Sequence, residues 1–276
     1  MNPKQTSQDV LWSRMQLELE KRCQVTGVMG YHLVDLTSRR ESGFLDDIGF
    51  PTASTIKIAV LLGLATGAHL GKLDWEQRLC TRNLPKVAGS GILSHLRHPV
   101  EISLWDTASL MIALSDNAAT NACIDIAGMD YVNSLLAGLG LTETRLRRKM
   151  MDVDAVQRGD ENVSTPRELA ELVRKIYERD GVSDPVARDV LTILELPKSG
   201  PFSQGLPSRV RRANKPGGLD CVAVDAGIIY LPNRPVVLAV MGSFLEGDPS
   251  GLTAELVRSA YRYLDLLSRC TQYGRA

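Results

Sequence analysis

VAVDAGIIYLPNRPVVLAVM, residues 222–241, reads as two apolar strands, Val222–Leu231 and Pro235–Met241, joined at Pro232-Asn233. A hairpin alone is marginal in water and needs further strands or helices on its apolar face. Leu252–Leu267, just downstream, is a closing amphipathic helix. Upstream, the texture between Pro99 and Lys198 is helical. Ser103 opens a helix over 104–114 with Asp106 three residues on, Thr165-Pro166-Arg167-Glu168 repeats the device, and Ser183-Asp184 precede Pro185. The remaining strand signals lie near the N-terminus. Val25–Leu36 ends in the turn Thr37-Ser38-Arg39-Arg40, a short second strand follows before Phe50-Pro51, and the helix 6–23 comes first. Strands at both ends must share one sheet, so the helical middle is an insertion. The expected division is residues 1–52 with 200–276 as a sheet lobe, and 53–199 as a helical lobe, with a cleft between them as the natural place for a site.

Composition narrows the function. The 276 residues are 44% hydrophobic and 23% charged, with 32 basic against 32 acidic side chains. That is the mix of an ordinary folded protein, and zero formal charge removes the bulk electrostatic case for nucleic acid or an anionic membrane as partner. The longest apolar run, Ile58–Ala65, is far short of a membrane span. Lys4, Asp9, Arg14 and Glu18 interrupt the stretch where an export signal would carry its apolar core, which predicts a cytoplasmic protein. Five scattered cysteines (Cys23, Cys80, Cys123, Cys221, Cys270) contain no C-x-x-C pair and predict free, buried thiols. His95 and His98 form an H-x-x-H with no third ligand nearby, so no metal or other cofactor is implied. Neither G-x-G-x-x-G, a P-loop nor G-x-S-x-G occurs, which sets aside dehydrogenase, NTPase and α/β-hydrolase readings.

Three short elements carry chemistry. Ser54-Thr55-Ile56-Lys57 opens the most apolar helix, Ser54–His69, and a three-residue offset puts hydroxyl and amine on one face. An amine in apolar surroundings loses its proton more readily, so Lys57 is placed to take the Ser54 proton, while the helix start offers N–H groups to an oxyanion. The same residues also suit an N-cap serine and a snorkelling lysine. Ser115-Asp116-Asn117 falls between helices, where Ser115 and Asn117 can point one way; it equally suits a pair of helix caps. Lys215-Pro216-Gly217-Gly218 precedes the Val222 strand and reads either as an anion site with a Gly218 N–H donor or as a plain turn.

Taken together, S-x-x-K, S-D-N and K-x-G in this order, 61 and 100 residues apart, resemble the signature of class A serine β-lactamases and penicillin-binding proteins. Phe50-Pro51-Thr52-Ala53 leading into Ser54, the loop Gly89-Ser90-Gly91-Ile92-Leu93, Met111-Ile112 before Ser115, and Gly159-Asp160-Glu161 before Thr165-Pro166 extend the likeness from about residue 25 to the C-terminus. The resemblance implies an α/β (α+β) serine β-lactamase-like fold: an antiparallel sheet flanked by helices, plus an all-helical lobe with an Ω-like loop over about 144–165. It implies Ser54 as acylated nucleophile and Lys57 as its proton acceptor or relay. Ser115 would pass a proton to the leaving nitrogen, and Lys215 would support Ser115 and a substrate carboxylate. Asn117, Ser90, Gly217 and Gly218 would contact substrate, with the N–H groups of Ser54 and Gly218 as oxyanion hole.

The chain departs from that family in three places. The Ω-loop Glu that activates the deacylating water falls at Met150 by counting forward from Thr144 and at Lys149 by counting back from Thr165; Asp152 is the nearest carboxylate, and it equally suits a helix cap. Pro216 replaces the Thr or Ser of K-[TS]-G, and Cys221–Gly227 lacks the family's Arg, for which Arg209, Arg211 and Arg212 are the upstream substitutes. Leu61 and Ala108 stand where many members have a disulfide. The basic run Arg145–Lys149 reads as a solvated loop, with Asp152 or Asp154 as carboxylates able to tether it. The expectation is a serine hydrolase that opens small-molecule β-lactam amides through a Ser54 acyl-enzyme and releases product slowly. A penicillin-binding or peptide-processing acyl-enzyme, a cytoplasmic esterase and a non-catalytic binding relic are the alternatives.

Overall fold

The computed structural model describes residues 6–275, so Lys4 of the export-signal argument lies outside the described residues. The chain forms two compact units: Met1–Phe50 with Thr165–Ala170 and Ser199–Ala276, and Pro51–Ser164 with Glu171–Lys198.

The first unit is built on one five-stranded sheet. Its strands are β1 (Val28–Asp35), β2 (Glu41–Phe44), β3 (Arg212–Leu219), β4 (Val222–Leu231) and β5 (Arg234–Ser243), in the order β2-β1-β5-β4-β3. Every pairing is antiparallel. The hairpin β4–β5 turns at Pro232-Asn233, where Asn233 takes φ +55°, a left-handed conformation that asparagine tolerates. Tyr31 faces Val240 and Leu33 faces Leu238 across β1 and β5, and these side chains are sealed. On the same face lie Trp12, Met15 and Leu19 from the Ser7–Arg22 helix and Leu256, Val257, Ala260 and Leu264 from the Pro249–Arg269 helix. Each of these buried Leu, Val or Met side chains contributes about 1.5–3 kcal/mol by leaving water. One buried ion pair ties this core together. Arg234 Nε donates to Asp35 Oδ2 at 2.6 Å and its Nη1 donates to Leu267 O, while Asp35 also receives Ser38 Oγ and the N–H groups of Thr37 and Ser38.

β3 is a departure from the reading of Lys215–Gly218 as a loop. Pro216-Gly217-Gly218 is a breaker signal, yet an edge strand needs only one side of its ladder and accepts proline. Lys215 pairs with Ala226, Pro216 with Asp225 and Gly218 with Ala223. Gly227 makes the close approach possible: a Cβ there would sit 2.2 Å from Ala213 O and 2.4 Å from Asn214 Cβ.

The second unit is wrapped around the helix Lys57–His69, of which ten of thirteen residues are buried. Helices Leu104–Ala113, Asn117–Ala127, Met129–Gly138 and Asp184–Leu194 surround it. Ser103 caps the first of these, its Oγ accepting Asp106 N and donating to the Asp106 carboxylate. A ribbon of Arg78–Cys80 and Glu101–Ser103 closes one side, near which Trp75 meets Trp105 edge-on and donates to Asp189 at 2.9 Å. Among the described residues no helix is long and apolar enough to cross a membrane.

The loop over 144–165 is ordered by side-chain amides that hold backbone. Asn162 Oδ1 accepts Arg147 N and Arg148 N, Asn133 holds Leu146 through N and O, and Asn121 does the same to Met150 at 2.8 and 3.1 Å. The basic run is tethered, as expected, but by other carboxylates. Arg148 grips Glu161 and Lys149 meets Asp125, whereas Asp152 serves as a cap instead. The cysteines are all free, but only Cys23 and Cys123 are buried; Cys221 is exposed at a turn with φ +57°. The expectation of five buried thiols is therefore corrected.

Candidate active site

Ser54 does not begin an α-helix. It lies in a 3-10 turn, Ala53–Ile56, that feeds the α-helix starting at Lys57. Ala53 takes φ +45°, a region that costs a residue with a Cβ about 1–3 kcal/mol and persists only where surroundings enforce it. They do: Thr52 N and Oγ1 both donate to Asn162 O, and Thr55 Oγ1 returns to Thr52 O at 2.6 Å. The kink leaves Ser54 half-buried between sealed neighbours Ala53 and Thr55.

Lys57 is fully buried, yet its surroundings are not apolar. Nζ donates to Ser115 O at 2.8 Å, Ser115 Oγ at 3.0 Å and Asn117 Oδ1 at 3.2 Å. Three oxygens thus meet an amine whose charged form carries three hydrogens. Ser115 Oγ in turn donates to Ser54 Oγ at 2.9 Å. The result is a continuous line, Ser54 Oγ to Ser115 Oγ to Lys57 Nζ. A hydroxyl can donate and accept at once, so a proton can travel along it in either direction.

Ser115 is itself strained, with φ +54°, and its carbonyl is held by Lys57. Asp116 fixes the segments on either side. Its Oδ1 caps the next helix through Ala119 N at 2.9 Å, and its Oδ2 receives Ile92 N at 2.6 Å and Leu93 N at 2.9 Å. Asn117 anchors the same loop: its N–H donates to Ser90 O and its Nδ2 to Ala88 O. Ser90 is exposed, with its carbonyl engaged in this way. Asp116 and Asn121 are positioning residues that reading the sequence for chemistry passes over. The one signal for Asp116 is its place ahead of a helix, where a carboxylate caps.

Asp152 is the N-cap of the short helix Val153–Gln157, its Oδ1 accepting Ala155 N at 3.0 Å. Met150 is buried and clamped by Asn121, while Met151 is half-exposed at φ +60° near Gly89.

Lys215, Gly217 and Gly218 belong to the other unit. Lys215 is buried on β3 and its Nζ donates to Pro216 O at 2.8 Å; Gly217 is half-buried and Gly218 exposed. Of the upstream arginines, Arg211 stacks over Tyr230 at 4.9 Å, Arg209 reaches Tyr261 and Arg212 reaches Val210 O. Among the described residues no three His, Cys, Asp or Glu side chains are grouped to hold a metal ion.

Comparison with known proteins agrees on the family. The sequence pattern of the beta-lactamase enzyme family (Beta-lactamase2) matches residues 14–264. Among solved structures, a point mutant of PBP-A, captured as its acyl-enzyme complex with penicillin-G, is 26% identical, covers 92% of this chain and 97% of its own, and superposes with a TM-score of 0.81. A beta-lactamase from Sphaerobacter thermophilus is 29% identical over 91% of this chain and 97% of its own, with a TM-score of 0.80. The beta-lactamase regulatory protein BlaB of Streptomyces cacaoi is 28% identical over 138 residues, which are 49% of this chain and 44% of that protein. The chain thus spans less than half the length of that curated relative.

Proposed function

The chain belongs to the beta-lactamase enzyme family, and from that premise we propose that it opens β-lactam amides through an acyl-enzyme on Ser54 and hydrolyses that ester slowly. The observation that carries this reading is the line Ser54 Oγ, Ser115 Oγ, Lys57 Nζ at 2.9 and 3.0 Å. Ser54 Oγ bonds to the lactam carbonyl carbon while its proton moves through Ser115 to Lys57, which in its neutral form keeps two hydrogens for Ser115 O and Asn117 Oδ1 and turns its lone pair to Ser115 Oγ. Ser115 then delivers a proton to the ring nitrogen as the C–N bond breaks, which leaves an ester on Ser54. Lys215, Gly217 and Gly218 enter this reading through the order of the motifs, as does the pairing of Ser54 N–H with Gly218 N–H around the oxyanion. Ser90 and Asn117 take the acyl side of the substrate in the same way.

Slow release follows from the loop. The backbone clamped by Asn121 presents Met150, and the nearby Asp152 carboxylate caps a helix. A thioether cannot deprotonate water. This also favours a second reading, a penicillin-binding or peptide-processing acyl-enzyme. The likeness to PBP-A, a mutant of which was captured as an acyl-enzyme with penicillin-G, supports it. Five free thiols support a reducing, cytoplasmic setting, which cell fractionation tests.

Time-resolved intact mass with penicillin-G tests the main reading. The expected result is a stoichiometric adduct on Ser54, absent in Ser54→Ala, decaying more slowly than it forms. An adduct that never decays selects the second reading. No adduct at all, in a folded protein, refutes both. Asp152→Ala should decay at the parental rate; a decay slowed about tenfold would return the water-activating role to Asp152.

A further inference from the structure

Between Gln77 and Val100 the chain holds Arg78, Arg82, Lys86, His95, Arg97 and His98 and not one carboxylate, although its charges balance overall. Arg82, Lys86, Arg97 and His98 line one cavity of about 290 Å³, within the second unit. Elsewhere several surface arginines sit on carboxylates: Arg22 on Glu18, Arg167 on Asp46 and Asp47, Arg174 on Glu171 and Glu178, Arg188 on Asp184. Among the described residues, no carboxylate forms an ion pair with Arg82, Lys86, Arg97 or His98. Like charges gathered without counter-charge repel one another, and an anion between them relieves that repulsion.

The walls are fixed rather than loose. Thr81 N donates to Val100 O at 2.9 Å and Val100 N to Thr81 Oγ1 at 3.0 Å, which leaves the Thr81 hydroxyl its own hydrogen to donate. Ser94 Oγ donates to Val87 O, and the neighbouring Ile92 and Leu93 N–H groups are held by Asp116. The rest of the lining is apolar, with Leu84, Pro85, Leu96 and Pro99. The lining thus combines charged, forked donors with apolar surface for hydrocarbon.

We propose that this pocket binds a small organic phosphate, its phosphate oxygens on Arg82, Lys86, Arg97 and His98 and its organic body on Leu84 and Leu96. One arginine fork takes two oxygens of a carboxylate or a phosphate at once, but only a phosphate keeps a further oxygen for a second cation. The site is separate from Ser54, so it stands or falls apart from the acyl-enzyme reading.

The test is calorimetric titration of the full chain at fixed ionic strength with phenyl phosphate, inorganic phosphate and phenol. Phenyl phosphate should bind saturably to one site and more tightly than inorganic phosphate, with phenol undetected. Arg82→Ser with Arg97→Ser should weaken phenyl phosphate about tenfold or more, and Arg82→Lys with Arg97→Lys should weaken it less. A control pair outside the pocket, Lys21→Ser with Arg262→Ser, should bind like the parent. All of these side chains are exposed, so the folded state survives their loss. Unsaturable binding, or equal weakening by the control pair, overturns the proposal. Tighter binding to phosphatidylglycerol vesicles than to phenyl phosphate, at equal phosphate, overturns the small-molecule assignment.

Discussion

Replacing Lys57 by methionine keeps an unbranched side chain one atom shorter and removes every donor. Three oxygens lose a partner: Ser115 O at 2.8 Å, Ser115 Oγ at 3.0 Å and Asn117 Oδ1 at 3.2 Å. A buried acceptor left unsatisfied costs about 1–3 kcal/mol. The positive φ of Ser115, itself about 1–3 kcal/mol above an ordinary conformation, loses the bond that holds its carbonyl. Against these losses stands the burial of the amine, whose desolvation costs several kcal/mol as an ion. The opposing quantities are of similar size, so Lys57→Met should unfold in urea within about 2 kcal/mol of the parent. Catalysis has no such offset. Loss of the terminal proton acceptor should slow acylation by penicillin-G about 10²–10⁴-fold. Rapid-quench mass spectrometry gives the acylation rate, and urea titration of the same preparation gives stability. An acylation rate within about threefold of the parent, in a protein of parental stability, would refute the relay.

Further outcomes rest on named contacts. Burial pushes the Asp35 carboxyl upward, but hydrogen bonds from Ser38 and the Arg234 guanidinium outweigh it, and the net shift is downward. Its stabilisation is therefore complete above the unfolded value near 4 and drains as pH falls below that, so the urea midpoint should drop on acidification. Arg234→Met, which strands a buried carboxylate, should cost about 3–5 kcal/mol at neutral pH and shrink that acid dependence. Gly227→Ala should cost about 1–3 kcal/mol by forcing β3 away from β4, and a parental melting temperature would contradict the contact at 2.2 Å. Burial pushes the Cys23 thiol up to about 12 and also raises Cys123, so iodoacetamide in mild alkali should label exposed Cys221 first; peptide mapping that finds Cys23 or Cys123 equally fast would contradict this. Met150→Glu should speed decay of the penicilloyl adduct at least about tenfold, measured by intact mass, by placing a base on the clamped loop.

Much of the fold is set by local pattern. The strand Val222–Leu231 and the turn after it are a continuous apolar run, β-branching and Pro-Asn chemistry, and the Lys57–His69 helix is announced by its apolar run. β3 is not legible, because Pro216-Gly217-Gly218 signals a loop and only Gly227, on the neighbouring strand, reveals how closely the two approach. At the site, Ser54, Lys57 and Ser115 are each visible as residue types. Their arrangement is not. A buried lysine in an apolar helix suggests an apolar cage, whereas its three oxygens come from residues 58 and 60 positions away. The kink at Ala53 is likewise tertiary, since Asn162 and not the local sequence holds Thr52. Asp152 shows the opposite case, a residue whose capping use is readable from its neighbours alone.

Asn121 grasps Met150 by main-chain atoms only. That grip holds the main chain whatever side chain is mounted there, so a lineage can trade the buried methionine for a residue that fits its space without rebuilding the turn. On the proposed chemistry, one exchanged residue separates a protein that traps its antibiotic from one that discards it, and selection has little to repair on either side of that step.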